Sequence, residues 1–298
     1  MTKKEQQQIS QQLLDLYSGI LFNNQEFDKG NNNEIIYNFA CNEYVTLKEK
    51  YNLEEIAGKG TDFTKAKNLL HYLSTRLTHS SWYDNHIPCN ALDLLEYSLN
   101  NPEQGINCLN KSKILEECCL ALGIYARRVI IMPHSPYDFD NHVVTEIYDR
   151  KLNKWIMLDP TTDGLFVDCD GIPLSLLEMR DKFANNDFVT YVSSIDNLKD
   201  LKKLKCKYVD QSAYICKNLF YFYIDKDSTF GSTGNTLAFI PFKYSIKENL
   251  IANTNYRIKN LPEEYKDWIS KLEKKLIELQ HYEINVTNIS VMVKSPIK

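Results

Sequence analysis

GINCLNKSKILEECCLALG (residues 105–123) places a single cysteine, Cys108, immediately before a stretch with helical spacing. Leu115, Cys118, Cys119 and Leu122 recur at i, i+3, i+4 and i+7, which predicts a helix with one buried face. Asn107 is a good N-cap, Gly105 allows a tight approach of the chain before it, and Gly123 is the residue expected just past the end. Cys108 therefore sits in the first turn. There the unpaired N–H groups and the positive end of the helix dipole favour a thiolate, an advantage that Cys118 and Cys119 do not share.

Working outward, NHVVTEIY (141–148) and KWIMLDPT (154–161) both read as strands, and the polar Asp149, Arg150, Lys151 and Leu152 between them form a turn. A hairpin closed by those four residues pairs Tyr148 with Asn153, Glu146 with Trp155, Val144 with Met157, and His142 with Asp159. Directly opposed residues on one face bring their Cβ atoms to roughly 4.5–5.5 Å. The hairpin thus supplies an imidazole and a carboxylate that fixes its tautomer, and the helix supplies a thiol that the imidazole can deprotonate.

Gly-Ile-Asn-Cys opening a helix that runs into Ala-Leu-Gly-Ile-Tyr-Ala-Arg-Arg-Val, followed by Asn-His-Val-Val and Lys-Trp-Ile-Met-Leu-Asp-Pro-Thr, resembles the transglutaminase-like superfamily of papain-type cysteine enzymes. The likeness runs from about Asp62 to Asp187. It implies an α+β fold, with a transglutaminase-like, papain-like core in which the Cys-bearing helix packs on an antiparallel sheet. It also implies Cys108 as nucleophile, His142 as base and Asp159 as orienter. Members include proteases, deglycosylating amidases, amide-forming transferases and inactive relatives, so the resemblance gives a reaction type and no substrate.

The chain of 298 residues is long enough for one large domain or two small ones. Its 43% apolar and 25% charged residues are ordinary for a globular protein, and a net charge of −4 with scattered lysines argues against nucleic acid as a partner. The N-terminus lacks the apolar core of a secretory signal, and no apolar run approaches a bilayer span, so the expected location is cytoplasmic, with no membrane partner. Eight cysteines without a C-x-x-C pair then read as reduced thiols. Asp168-Cys169-Asp170-Gly171 reads as a plain turn, and neither a metal nor a cofactor is expected.

The pattern divides into an N-terminal helical extension (1–60), a catalytic core (61–195) and a C-terminal α/β extension (196–298). In the first, Ile9, Leu13, Leu16, Tyr17, Ile20 and Leu21 line an amphipathic helix. The core starts with a helix that Asp62 can cap, with Ala66, Leu69, Leu70, Leu73 and Leu77 on one face. The extension holds aromatic strands at 219–224 and 236–244, with Pro241 suggesting an edge, then a helix from Pro262 and a strand at 284–293.

The expected chemistry is acyl transfer through a Cys108 thioester. The acyl donor is a peptide, a protein or a carrier-protein thioester, and the acceptor is water or an amine, so that an amide bond is made or broken on a restricted substrate. Such chemistry needs a second donor to the developing oxyanion beyond the Cys108 N–H, and Trp82, Gln104 and Asn107 can all donate. His134 and the pair His79 and His86 are weaker cleft candidates. The rival expectation is a catalytically inactive binding module on the same fold.

Overall fold

The computed structural model describes residues 2–297. The N-terminal part comprises α1 (Lys3–Phe22), a short strand β1 (Ile36–Tyr37), α2 (Asn42–Lys50), α3 (Leu53–Ala57), α4 (Asp62–Arg76) and α5 (Ala91–Asn100). Then come α6 (Cys108–Ala121), β2 (Ala126–Met132), β3 (His142–Asp149), β4 (Lys154–Leu158), β5 (Gly164–Val167), α7 (Leu176–Ala184) and β6 (Thr190–Ser193). The chain ends with α8 (Leu201–Lys207), α9 (Val209–Asn218), β7 (Tyr221–Asp225), β8 (Asp227–Ser228), β9 (Thr236–Phe239), α10 (Ile246–Asn260), α11 (Lys266–Gln280) and α12 (Ser290–Val293).

A five-stranded antiparallel sheet, ordered β4-β3-β2-β7-β9, divides two hydrophobic cores. Alternation along the strands assigns side chains to each. Val129, Ile131, Val144 and Met157 join one core with residues of α1, α7 and α9. Ala126, Ile147, Ile156 and Leu158 join the other with α4, α5 and α6. The α+β reading, with the Cys-bearing helix packed on an antiparallel sheet, is what the chain adopts.

α6 is more enclosed than a helix with one buried face. Asn110 to Ala121 are all buried, including Lys113, whose ammonium pairs with Glu116 at 3.0 Å and Glu117 at 3.3 Å. Buried charges of this kind persist only when paired. Ser112 and Thr145 clamp the helix to β3: the Ser112 hydroxyl donates to Val143 O at 2.8 Å, and the Thr145 hydroxyl donates to Ser112 O at 3.0 Å.

Four expectations need correcting. The boundary at residue 195 cuts through one sheet, because β7 pairs with β2 and β9 with β7, so the last hundred residues supply two of its five strands. Thr61, not Asp62, caps α4, accepting from Thr64 N at 3.2 Å. The Asp62 carboxylate is instead held by Arg150 in a two-pronged pair at 2.7 and 2.6 Å. Residues 284–293 make only isolated bridges at Val286 and Thr287, after which Asn288 accepts from Ser290 N and turns the chain into α12.

The fourth correction concerns the hairpin. Asp149 pairs with Lys154 and Tyr148 with Trp155, so the register is displaced by two residues from the expected one. Asn153 takes a left-handed conformation (φ 54°) and Asp149 accepts from Leu152 N at 2.7 Å, which places the turn at Arg150–Asn153. A shift of two keeps every side chain on its face, where a shift of one would reverse them all. His142 and Asp159 therefore stay on one side, as diagonal instead of direct neighbours.

Candidate functional site

Cys108 is the first residue of α6, and the cap before it is built from Asn107, whose side chain accepts from Asn110 N at 3.2 Å. Asn107 and Asn110 both donate side-chain N–H groups to Asn85 Oδ1, at 3.0 and 2.8 Å, which fastens the α4–α5 connection to the helix start. The same connection runs beside the Cys108 loop as a short ladder, Ile106 N to Thr78 O at 3.1 Å and Ser80 N to Ile106 O at 3.0 Å. Gly105 makes that approach feasible. Its φ is +69°, and a Cβ there would lie 3.0 Å from both His79 C and Ser80 Cβ. The N–H groups of Cys108 and Leu109 have no acceptor among the described residues, as expected at a helix start.

His142 opens β3 and Asp159 follows β4; they are 4% and 2% exposed. Asp159 Oδ2 accepts from His142 Nε2 at 2.9 Å and from the Thr162 hydroxyl at 2.9 Å, and Oδ1 accepts from Thr161 N at 2.9 Å. Every contact favours the ionised carboxylate. Burial would raise the Asp159 pKa, but the His142 charge and these hydrogen bonds outweigh it and hold it below the usual range. Burial likewise would depress His142; the Asp159 carboxylate, with help from the Cys108 sulfur, instead lifts the imidazole well above its ordinary value. With Nε2 engaged by Asp159, Nδ1 is the nitrogen left for Cys108.

The structure thus brings Cys108, His142 and Asp159 together. Burial pushes the Cys118 and Cys119 thiols far up, which leaves them inert at neutral pH. The three side chains considered for the oxyanion are exposed or otherwise engaged. Trp82 is 95% exposed, Gln104 Oε1 accepts from Tyr97 Oη at 2.5 Å, and the Asn107 side chain is occupied by the cap. His134 packs edge-on against Phe220 at 4.6 Å, and His86 lies between Tyr83 and Tyr97. Burial first, and then the charges of Lys111 and His142, lower the His79 pKa.

Sequence reasoning missed four contributors. Thr161 and Thr162 complete the hydrogen bonds to Asp159 and were visible only as two residues after Asp-Pro. Tyr214, on α9, sets its ring edge-on to His142 at 5.5 Å and donates to Asp140 at 3.3 Å. Its neighbour Lys217 pairs with Asp138 at 3.0 Å and Asp140 at 3.2 Å, fixing the loop that leads into His142. No sequence signal pointed to α9, since its partners lie about 75 positions away.

No curated protein matches the chain. A solved structure from Cytophaga hutchinsonii, provisionally named a cysteine protease, aligns over 50% of this chain and 46% of its own length, at 18% identity and a TM-score of 0.32. The model of the transglutaminase-like superfamily matches residues 50–160. That stretch runs from the end of α2 through the helix of Cys108 and the His142 hairpin to Pro160, one residue past Asp159, and over it the chain is similar to that superfamily.

Proposed function

We propose that the chain is a cysteine-dependent acyl-transfer enzyme that works through a thioester on Cys108 and makes or breaks an amide bond. One observation supports this reading: a buried imidazole is held to a carboxylate at 2.9 Å, and Cys108, at a helix N-terminus, lies near enough to help raise that imidazole's pKa. A histidine on a structural task has no need of both.

The Cys108 thiolate attacks the carbonyl carbon of an amide or thioester donor, and the negative charge moves to the carbonyl oxygen. The free N–H groups of Cys108 and Leu109 are available to receive that charge. As the tetrahedral species collapses, His142 gives its proton to the departing amine or thiol, leaving a thioester and a neutral imidazole. Water or an amine then attacks the thioester while His142 takes its proton, and the thiolate departs. Asp159 holds the imidazole in one tautomer and orientation throughout. A partly exposed Cys108 beside a buried His142 and Asp159 favours a selected donor, such as a peptide end or a carrier-bound acyl thioester.

The test is Cys108→Ala. With candidate peptide amides and thioesters, turnover falls by about 10³-fold or more while the fold is retained, and mass spectrometry finds an acyl adduct on Cys108 only in the unsubstituted protein. Discharge of that adduct by water or by added amines tells hydrolysis from transfer. Turnover unchanged in Cys108→Ala removes the proposal, and absence of any adduct or turnover leaves the binding module as the better account.

A further inference from the structure

Three asparagine side chains meet at the start of α6, and one backbone donor decides how all of them are turned. Asn110 N, the third N–H of the helix, needs an oxygen, and Asn107 Oδ1 accepts from it at 3.2 Å. The Asn107 amide nitrogen is thereby turned away from the helix to Asn85, which answers with its oxygen at 3.0 Å. Asn110 Nδ2 shares both oxygens, at 2.8 Å from Asn85 Oδ1 and 3.1 Å from Asn107 Oδ1. Asn110 is 1% exposed and its own Oδ1 has no partner among the described residues. The network is therefore arranged around its donors, and Asn85 Oδ1 is where two of them end.

Asn85 reaches this place with a left-handed backbone (φ 59°), a conformation that asparagine tolerates better than most L-residues. The consequence falls on the two N–H groups before Asn110. The side-chain oxygen of an N-cap residue accepts from either the second or the third N–H of a helix. Without an acceptor behind its nitrogen, the Asn107 amide is free to turn its oxygen to Leu109 N and cover one of the two groups available to the oxyanion. With Asn85 in place the oxygen stays on Asn110 N, and the N–H groups of Cys108 and Leu109 have no acceptor among the described residues.

We propose that Asn85 is a positioning residue for the oxyanion: it holds the Asn107 cap on the third N–H of α6, so that the first two stay open to the carbonyl oxygen of the donor. The inference rests on the reading of Cys108 as the nucleophile. It separates two kinds of reaction at one sulfur. Acetylation by p-nitrophenyl acetate joins Cys108 Sγ to the carbonyl carbon, passes through an oxyanion and expels p-nitrophenolate. Alkylation by iodoacetamide joins the same sulfur to a saturated carbon, expels iodide and develops no oxyanion. Both consume the thiolate, so the ratio of the two rates at Cys108 reports on the oxyanion donors.

The experiment measures both rates at pH 7 in the full chain, in Asn85→Gly, which permits the left-handed backbone and removes the amide, and in Asn85→Asp, which keeps the accepting oxygen. Acetylation is followed by release of p-nitrophenolate above that of Cys108→Ala, and alkylation by peptide mass spectrometry at Cys108. Expected in Asn85→Gly is acetylation slower by about tenfold or more, with alkylation within about twofold of the parent. Asn85→Asp keeps the parent ratio, since its added charge alters the thiolate for both reagents alike. A residue that only fastens the loop slows both reactions together or neither, and leaves the ratio unmoved. An unmoved ratio in Asn85→Gly, or an equal fall of the ratio in Asn85→Asp, overturns the inference and leaves the site reading standing. Alkylation of Cys108 no faster than that of the exposed Cys169 and Cys206 in the parent overturns both. If Asn85→Gly does not fold, Asn107→Asp decides. Its carboxylate cannot donate to Asn85 and brings a second oxygen for Leu109 N, so the ratio falls; a parent-like ratio there overturns the inference.

Discussion

Asp159→Asn separates what the carboxylate's charge contributes from what its shape contributes. The amide keeps the volume and an oxygen that can accept from Thr161 N, but it offers His142 no charge. Both residues are buried, so solvent screening is weak. With an effective dielectric of about 20 and about 4 Å between charge centres, the lost attraction is about 4 kcal/mol, roughly 3 pK units. Burial alone pushes His142 below its ordinary 6.5, and in the variant the Cys108 sulfur is what remains to oppose it. The imidazole, raised to about 10 and charged at pH 7 in the parent, then titrates about 3 units lower, near neutral pH. The assay is an NMR titration of labelled histidine from pH 5 to 10, with denaturant unfolding across the same range. A folded-state pKa above the unfolded one stabilises the protein fully below about 6.5 and loses that contribution as pH rises through the folded value. The parent therefore loses this increment of stability on the alkaline side, and Asp159→Asn shows no such alkaline loss. Identical His142 titrations in the two proteins would refute the assignment of Asp159 as the group that charges it.

Two further substitutions probe the frame. Gly105→Ala demands a left-handed backbone at an L-residue and a Cβ 3.0 Å from the His79 backbone, so a loss of about 1–3 kcal/mol in denaturant unfolding is expected, with slower Cys108 labelling as the loop shifts. Arg127→Ala leaves the Glu146 carboxylate buried without its 2.6 Å partner and frees Met292 O at the C-terminal turn. The expected loss is about 3–5 kcal/mol, measured the same way, and a change under 1 kcal/mol would mean that Leu176 N alone suffices for the Glu146 carboxylate.

The helix of Cys108 was legible because its determinants are local: an N-cap, a glycine on either side and a periodic apolar face. The hairpin was legible as two strands, and parity carried His142 and Asp159 to the same side even though the register was wrong by two. That error came from Asn153, whose left-handed conformation depends on contacts formed only when Asp149 turns inward to Leu152 N and Phe63 N. Asp62 misled for a similar reason, since a capping residue and an arginine partner look alike until Arg150 arrives from 88 positions away. Lys111 was invisible: helical spacing counts it as polar and therefore solvated, and only the packing of α2, α4, α5 and β3 around α6 encloses it.

That same long-range dependence bears on how much of the chain the chemistry needs. The segment 50–160 holds Cys108, His142 and Asp159 but not what keeps them in place. β2, whose one neighbour is β3, has its other edge paired with β7 from residues 221–225, and without it Val129 to Met132 present unpaired N–H and C=O groups. The loop before His142 is tied by Lys217 and Tyr214, and Arg180 on α7 donates to Leu219 O at 3.0 Å just before β7. A chain ending at residue 195 loses two of five strands and the Leu219–Ile224 part of one core. It should express as an aggregate or a compact state without fixed side-chain packing, read by dispersed NMR shifts and by cooperative unfolding. A soluble, cooperatively unfolding 1–195 fragment in which Cys108 still labels rapidly at pH 6 would show that the C-terminal strands are an accessory. Failure to fold would mean that the reacting geometry is a property of the whole sheet, and that substitutions in α9 and β7 reach Cys108 reactivity through His142.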